Sequence, residues 1–327
     1  MKSPSLVAKN ALFTQTGLAA GLLRRAVLRQ LRQLRKGHLR ILENGELLQF
    51  GDPGSELQAE MEVLNPAIWG LVAGNGSVGA GEAYIHGYWR SPDLTAVIRV
   101  FVSNLEVLDA MEGGLALLGR PALKALHWIN RNTRKGSQKN ISAHYDLGND
   151  LFEQFLDPTM MYSAAMFRSA SDTLEQAQLN KLERICQKLD LKPTDHLLEI
   201  GCGWGGFAEH AALTRRVRVT GISLSKEQLI WARKRVKGTP AEALCTFRFQ
   251  DYRDVSGKFD AVASIEMIEA VGESYWPSYF SKIHDVLKPG GRAGIQAITI
   301  ANERFQAYRS NTDFIQQFIF PGGMLLS

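Results

Sequence analysis

Leu197-Leu198-Glu199-Ile200-Gly201-Cys202-Gly203-Trp204-Gly205-Gly206 is the stretch on which the fold turns. Residues 196–200 read as a short buried strand, and the glycines that follow open a helix. Glycine there permits a tight turn and a close backbone approach to a nucleotide-like ligand. Gly201, Gly203 and Gly206 satisfy G-x-G-x-x-G, the dinucleotide fingerprint. That fingerprint wants an acid at the end of the second strand, about twenty residues on, for the ribose hydroxyls. Here the position reads Gly221-Ile222-Ser223, without a carboxylate. Glu199, two residues before the first glycine, can instead accept hydrogen bonds from an ammonium or amide group at the loop. A structural glycine turn with no ligand is the plainer alternative.

Outward from this turn, helix and strand alternate. Helices are predicted over Leu174–Leu189, residues 225–236 and residues 275–287, and strands over residues 216–222, 244–250, Phe259–Ile265 and 292–300. Strands separated by helices of this length imply a parallel sheet covered on both faces, with right-handed crossovers. Lys288-Pro289-Gly290-Gly291 reads as a turn. Asp251 ends the third strand and is followed by Tyr252. An acid and an aromatic there can meet an exocyclic amine and stack on adenine, although Asp after a strand is more often a helix cap. Cys202 reads as a small buried hydrophobe, with no His nearby in sequence to activate it. Tyr162 and Phe167 have a plain reading as core aromatics, and Glu269 as a solvated helix residue.

The first part of the chain differs. Residues 1–42 hold nine Lys/Arg and no Asp/Glu, leaving 29 positive and 33 negative residues elsewhere. Residues 113–145 form a second acid-free stretch, with Arg120, Lys124, Arg131, Arg134, Lys135 and Lys139. Such local charge attracts a polyanion, either nucleic acid or an anionic lipid surface. Leu23, Val27, Leu31 and Leu34 share one helix face, and Arg24, Arg25, Arg29, Arg32 and Arg35 fill much of the rest. Such a helix can lie apolar face down in a membrane interface, or pack on its own domain with a solvated basic side. Residues 38–49 read as a hairpin around Asn44-Gly45. Residues 74–88 are rich in glycine and aromatics, and residues 94–118 have helical periodicity.

The 327 residues suit two domains, and 45% hydrophobic with 22% charged residues is ordinary globular composition. Disordered, collagen-like and disulfide-scaffold classes are excluded. No run approaches the ~18 apolar residues of a spanning helix, and no signal peptide is recognised. Three cysteines, Cys186, Cys202 and Cys245, do not pair evenly and point to a reducing, cytoplasmic compartment. We expect a smaller α+β domain over residues 1–125, a basic linker over 126–140, and an α/β domain over 141–327.

The run Glu199-Ile200-Gly201-Cys202-Gly203-Trp204-Gly205 looks like the first motif of class I methyltransferases, which bind S-adenosylmethionine (SAM) on a Rossmann-like sheet. Further blocks are His144-Tyr145-Asp146 with Gly148-Asn149-Asp150, Met161-Tyr162-Ser163, Gln250-Asp251-Tyr252-Arg253-Asp254, Glu269-Ala270-Val271-Gly272, and Phe318-Ile319-Phe320-Pro321-Gly322-Gly323. With these, nearly the whole chain resembles the cyclopropane-fatty-acyl-phospholipid synthases and the related mycolic-acid cyclopropane synthases and fatty-acid methyltransferases. The region Gly79-Ala80-Gly81-Glu82-Ala83-Tyr84 resembles the N-terminal domain of the phospholipid-acting branch.

The resemblance implies methyl transfer from SAM to a cis double bond of an unsaturated phospholipid acyl chain, followed by loss of a proton that closes a ring. Such a site must exclude water, offer aromatic faces to a carbocation and place a base by the new methyl. In the family the base is a bound bicarbonate. The resemblance assigns bicarbonate to Glu269 and the backbone of Ile298, and SAM to Tyr162, Ser163, Gly201, Gly203, Ser223, Gln228 and Tyr252, with Glu199, Gly205 and Asp251 beside them. No metal is expected. The family's usual Cys after Tyr-Ser is Ala164, and its bicarbonate His aligns with Gln296, which cannot carry a proton at neutral pH. A methylated or methylene-branched product therefore fits as well as a cyclopropane. Only five strands precede the apolar end Met324-Leu325-Leu326-Ser327, where this class usually has seven. The sheet is thus expected to be C-terminally incomplete, with SAM bound weakly or not at all. A non-catalytic lipid-binding homologue and a methyltransferase for another substrate are the alternatives. No nucleic acid is expected as partner. An anionic inner membrane face, approached peripherally from the cytoplasm, is expected, and the phospholipid branch implies a homodimer.

Overall fold

The structure is a computed structural model that describes residues 18–112, 136 and 148–327. The basic stretch at 113–135, most of the expected linker, and His144-Tyr145-Asp146 lie outside the described residues. The chain divides into two units, Met1–Leu126 with Asn311–Gln317, and His127–Ser310 with Phe318–Ser327.

In the first unit, α1 (Leu18–Leu31) precedes a hairpin of β1 (His38–Glu43) and β2 (Glu46–Gly51). Asn44 and Gly45 both take positive φ, 51° and 83°, the twist a two-residue hairpin needs. β3 (Gln58–Val63) pairs parallel to β1, and β4 (Trp89–Arg90) antiparallel to β3, giving the order β2-β1-β3-β4. The glycine-rich stretch belongs to α2 (Ala67–Ile85), which kinks at Gly76. α3 (Leu94–Val102), capped by Asp93, and α4 (Leu105–Glu112) follow. The two readings of α1 separate here. Val27, Leu28, Leu31 and Leu34 are buried with Leu39 and Ile41, so the apolar face belongs to the unit's own core. Arg25, Arg29, Arg32 and Arg35 remain exposed.

The second unit opens with α5 (Asn149–Phe152) and α6 (Leu174–Leu189), the latter started by a Thr173/Gln176 capping box. The alternation is then β5 (His196–Ile200), α7 (Gly206–Arg215), β6 (Arg218–Ser223), α8 (Lys226–Val236), β7 (Cys245–Phe249), β8 (Phe259–Ile265), α9 (Trp276–Val286), β9 (Leu287–Gln296) and α10 (Asn302–Ser310). The sheet is parallel throughout, in the order β7-β6-β5-β8-β9. Leu197 faces one core layer with Phe207 and Val219, and Leu198 the other with Ile222, Tyr279 and Ile283. Burial on both faces explains why β5 and β8 read as apolar runs, whereas β7 and β9 at the sheet's two edges are mostly exposed.

β9 begins earlier than expected. Its pairing jumps from Phe259↔Leu287 to Ala261↔Arg292, so Lys288-Pro289-Gly290-Gly291 bulges from a strand already begun. The strand order reverses between β5 and β8, and their carboxyl ends form the crevice where sheets of this kind hold ligands.

Candidate functional site

The turn after β5 is built around three glycines. Gly201, Gly203 and Gly205 have φ of 82°, 51° and 84°, a region other residues rarely enter. Gly201 and Cys202 donate their N–H groups to Ile222 O, both at 3.0 Å, which ties the turn to β6. A Cβ on Gly201 would lie 2.8 Å from Met267 Cγ, whereas one on Gly203 would meet nothing within 4 Å. The turn is thus closed on the β8 side and open at its middle. Glu199 beneath it is buried, and its Oε2 has no hydrogen-bond partner. Burial pushes this carboxyl well above its ordinary range, against the pull of the Lys181 ammonium. Lys181 is itself held down at about 8 by burial, although Glu266, Asp157 and Glu199 favour its charge.

α6 fixes the Tyr162-Ser163 segment beside the turn. Lys181 Nζ donates to Ser163 Oγ at 2.6 Å, and Gln178 Nε2 to Ser163 O at 2.8 Å and Met161 O at 3.2 Å. The Tyr162 ring packs edge-on to Phe152 at 5.4 Å and lies 6.2 Å from Phe320. Phe152 also meets Trp204, whose Nε1 donates to Asn149 Oδ1 at 2.7 Å. The Asn149–Phe152 helix, the Tyr162 segment and the glycine turn therefore share one aromatic cluster. Phe167 stands apart, 56% exposed, so its reading as a core aromatic fails.

At the end of β6, Ser223 Oγ donates to Gln228 Oε1 at 2.8 Å and accepts from Ser225 N, while Ser225 Oγ caps α8 through Gln228 N. At the end of β7, Asp251 caps a single helical turn by accepting from Arg253 N at 2.9 Å. Arg253 Nε and Nη2 reach its two oxygens at 2.8 and 2.6 Å. The plainer role offered for Asp251 is therefore the one its hydrogen bonds display. Tyr252 sits against Tyr279 at 5.5 Å with the Arg253 guanidinium 5.4 Å from its ring centroid, and burial raises its hydroxyl pKa.

The carboxyl ends of β8 and β9 hold a second cluster. Glu266 follows β8 with φ of 47°, and its N–H donates to Gln296 O at 2.8 Å. Its Oε1 accepts from Ala164 N and from Gln296 Nε2, each at 2.8 Å. Gln296 Nε2 lies 3.2 Å from Ala164 O as well. Glu269 Oε1 accepts from Ile298 N at 2.5 Å, while its Oε2 is buried without a partner. Burial, with the nearby charge of Glu266, raises the Glu269 carboxyl pKa. The final residues are stitched onto this end of the sheet: Met324 N donates to Glu269 O, Leu325 N to Tyr308 Oη, and Ile300 N to Leu326 O.

Comparison with known proteins decides what this arrangement belongs to. The mycolic acid cyclopropane synthetase family matches residues 132–327. The chain is 37% identical to the cyclopropane-fatty-acyl-phospholipid synthase of Escherichia coli over 274 residues, covering 82% of this chain and 67% of that protein. The chain belongs to the mycolic acid cyclopropane synthetase family. It is also 38% identical to a tuberculostearic acid methyltransferase of Mycobacterium tuberculosis over 271 residues, covering 77% of this chain but only 60% of that protein. A mycolic acid cyclopropane synthase solved with SAH and CTAB superimposes with a TM-score of 0.54 at 32% identity, covering 58% of this chain and 70% of that one.

Within this family member, the residues singled out from sequence gather at three places, one of them the ends of β6 and β7 with Ser223, Gln228, Asp251 and Tyr252. Tyr162, Ser163, Glu199, Gly201 and Gly203 converge at the β5 turn, and Ala164, Gln296, Ile298 and Glu269 at the ends of β8 and β9. Gly205 is an exception, because it starts α7 and its missing Cβ would lie 2.9 Å from Ala232 Cβ. Cys202 is buried, and burial pushes its thiol pKa far up, consistent with its reading as a small hydrophobe. Glu266 was missed. The available signal was a carboxylate at the end of the strand beside β5, the place where parallel sheets put ligands.

Proposed function

We propose that the second unit binds SAM at the turn after β5 and transfers its methyl group to the cis double bond of an unsaturated phospholipid acyl chain. The product is a cyclopropane or a methyl- or methylene-branched chain. The observation that carries this reading is the meeting of the β5 and β8 ends, where a glycine turn adjoins buried carboxyls with unpaired oxygens, Glu199 Oε2 and Glu269 Oε2. The residues present fit SAM. When bound, SAM supplies a methyl carbon made electrophilic by its sulfonium. Glu199 would accept from the ammonium of its amino-acid end, and the open middle of the turn at Gly203 admits the ligand against the backbone. Ser223 and Gln228 at the end of β6, and Tyr252 at the end of β7, border the nucleoside side. Glu199, Gly203, Ser223 and Tyr252 lie on β5, β6 and β7 or the segments that follow them, and Gln228 lies in the first turn of α8.

Phe152, Tyr162, Trp204 and Phe320 then serve two ends. They exclude water that would trap a carbocation, and they present ring faces that favour positive charge. For bicarbonate the residues present do not fit. The Ile298 N–H donates to Glu269 and the Ala164 N–H to Glu266, so the backbone donors such an anion needs are engaged by the chain's own carboxylates. No step is routed through it.

The exposed Arg25, Arg29, Arg32 and Arg35 support peripheral attraction to an anionic membrane face. No helix among the described residues is long and apolar enough to cross a membrane. Incubating the protein with unsaturated phospholipid vesicles and methyl-labelled SAM, then weighing the acyl chains, tests the reaction. Gain of one CH2 with loss of the double bond means a ring, and gain with unsaturation kept means a methylene branch. Chains of unchanged mass would overturn the proposal.

A further inference from the structure

We propose that Glu266 supplies, from within the fold, the anion that takes the proton released from the transferred methyl group, and that it thereby excludes a bound bicarbonate. This rests on the methyl-transfer reading above. Three observations converge on it. First, Glu266 Oε1 is gripped by Ala164 N–H and Gln296 Nε2, while among the described residues nothing donates to its Oε2. One oxygen is anchored and the other has lone pairs to spare. Second, Glu266 is held in left-handed backbone, which is strained for a non-glycine residue, and it is pinned there by its N–H to Gln296 O. Such strain persists only where the surroundings over-determine it, and here they aim a carboxylate from the end of β8. Third, the next residue, Met267, abuts Gly201, so Glu266 adjoins the turn assigned to SAM.

The other candidates do not serve. Gln296 has no site that protonates at neutral pH. Glu269 has its unpaired Oε2 buried, and burial shifts its carboxyl toward the neutral acid, which already holds a proton and cannot take another. Lys181, near Glu266, Asp157 and Glu199, offsets the local negative charge.

The double bond's π pair forms the new C–C bond to the methyl carbon, and the S–CH3 pair stays on sulfur. The substrate is left with a cationic carbon. A proton then passes from the added methyl to Glu266 Oε2, and the C–H pair closes onto the cationic carbon. Glu266, now a carboxylic acid, returns the proton to water.

The test uses the full chain and two readouts. Titration of 13C-labelled bicarbonate followed by NMR is expected to show no saturable broadening with wild type. Saturable broadening appears with Glu266→Ala, which frees the Ala164 and Gln296 donors. In the vesicle assay, wild-type turnover is unchanged when bicarbonate is stripped or added. Glu266→Gln lowers methyl transfer by ~100-fold or more, the scale of a lost general base, while calorimetry gives an unchanged SAM affinity. Formate restores turnover to Glu266→Ala. Saturable bicarbonate binding by wild type, turnover that depends on bicarbonate, or full activity in Glu266→Gln would each overturn the assignment and leave the methyl-transfer reading standing. If wild type transferred no methyl group, the lipid reading would fall instead, and the NMR titration would decide whether Glu266 fills the anion position.

Discussion

Glu43 in the first unit and Glu199 in the second are both buried carboxylates on central strands, yet their oxygens are used oppositely. Glu43 Oε2 accepts from Arg24 Nε and its Oε1 from Trp69 Nε1, both at 2.7 Å. Both partners lie in the same unit, and the Arg24 guanidinium also lies over the Trp69 ring. Glu199 leaves Oε2 buried and unpaired, as does Glu269. An unmade hydrogen bond in a dry place costs free energy, about 1–3 kcal/mol per group. A carboxylate with both oxygens paired holds a fold together, whereas one left short of a partner marks where a ligand completes it.

That contrast can be broken at several points. Glu43→Ala leaves Arg24 and Trp69 Nε1 without their acceptor, and is expected to cost roughly 3–5 kcal/mol in urea unfolding while SAM affinity stays unchanged. An effect under 1 kcal/mol would show that the pairing is incidental. Lys181 comes next. Its pKa is about 8 in the fold against 10.5 when free, so between those values the unfolded chain binds more protons. Stability should therefore rise with pH across that window, by about 3 kcal/mol in all. Lys181→Met should abolish the rise, as read from denaturant midpoints at successive pH values. Glu199→Gln sharpens the comparison in the other direction. Its folded pKa is raised, so its ionisation opposes folding increasingly as pH climbs above the ordinary carboxylate range. The amide should leave stability at neutral pH equal or higher, yet weaken SAM by roughly 10-fold, the value of one charge-assisted hydrogen bond. The smallest effect is expected from Asn149→Ala, which removes the acceptor of Trp204 Nε1 and should cost about 1 kcal/mol by thermal unfolding.

Local chemistry was legible in the sequence, and chemistry made by distant pairing was not. Asn44-Gly45 and the glycines after β5 announce their turns because the backbone there needs positive φ. The central strands β5 and β8 announce themselves because burial on both faces favours apolar runs. Thr173 and Gln176 mark the start of α6 through a reciprocal cap. Glu266, by contrast, gains its meaning from Ala164, 102 residues earlier, and from Gln296 on the neighbouring strand. The amphipathic pattern of α1 is the same whether its apolar face meets lipid or β1, so only the fold could show Val27 and Leu31 packed with Leu39. The return of Asn311–Gln317 to the first unit left no periodic signal either.

Calorimetric titration of SAM into the wild-type chain probes the idea that the unpaired corner beneath Gly201 is a cofactor site. One site per chain at micromolar affinity, weakened by Glu199→Gln, is the result this reading requires. Absence of saturable heat would contradict it.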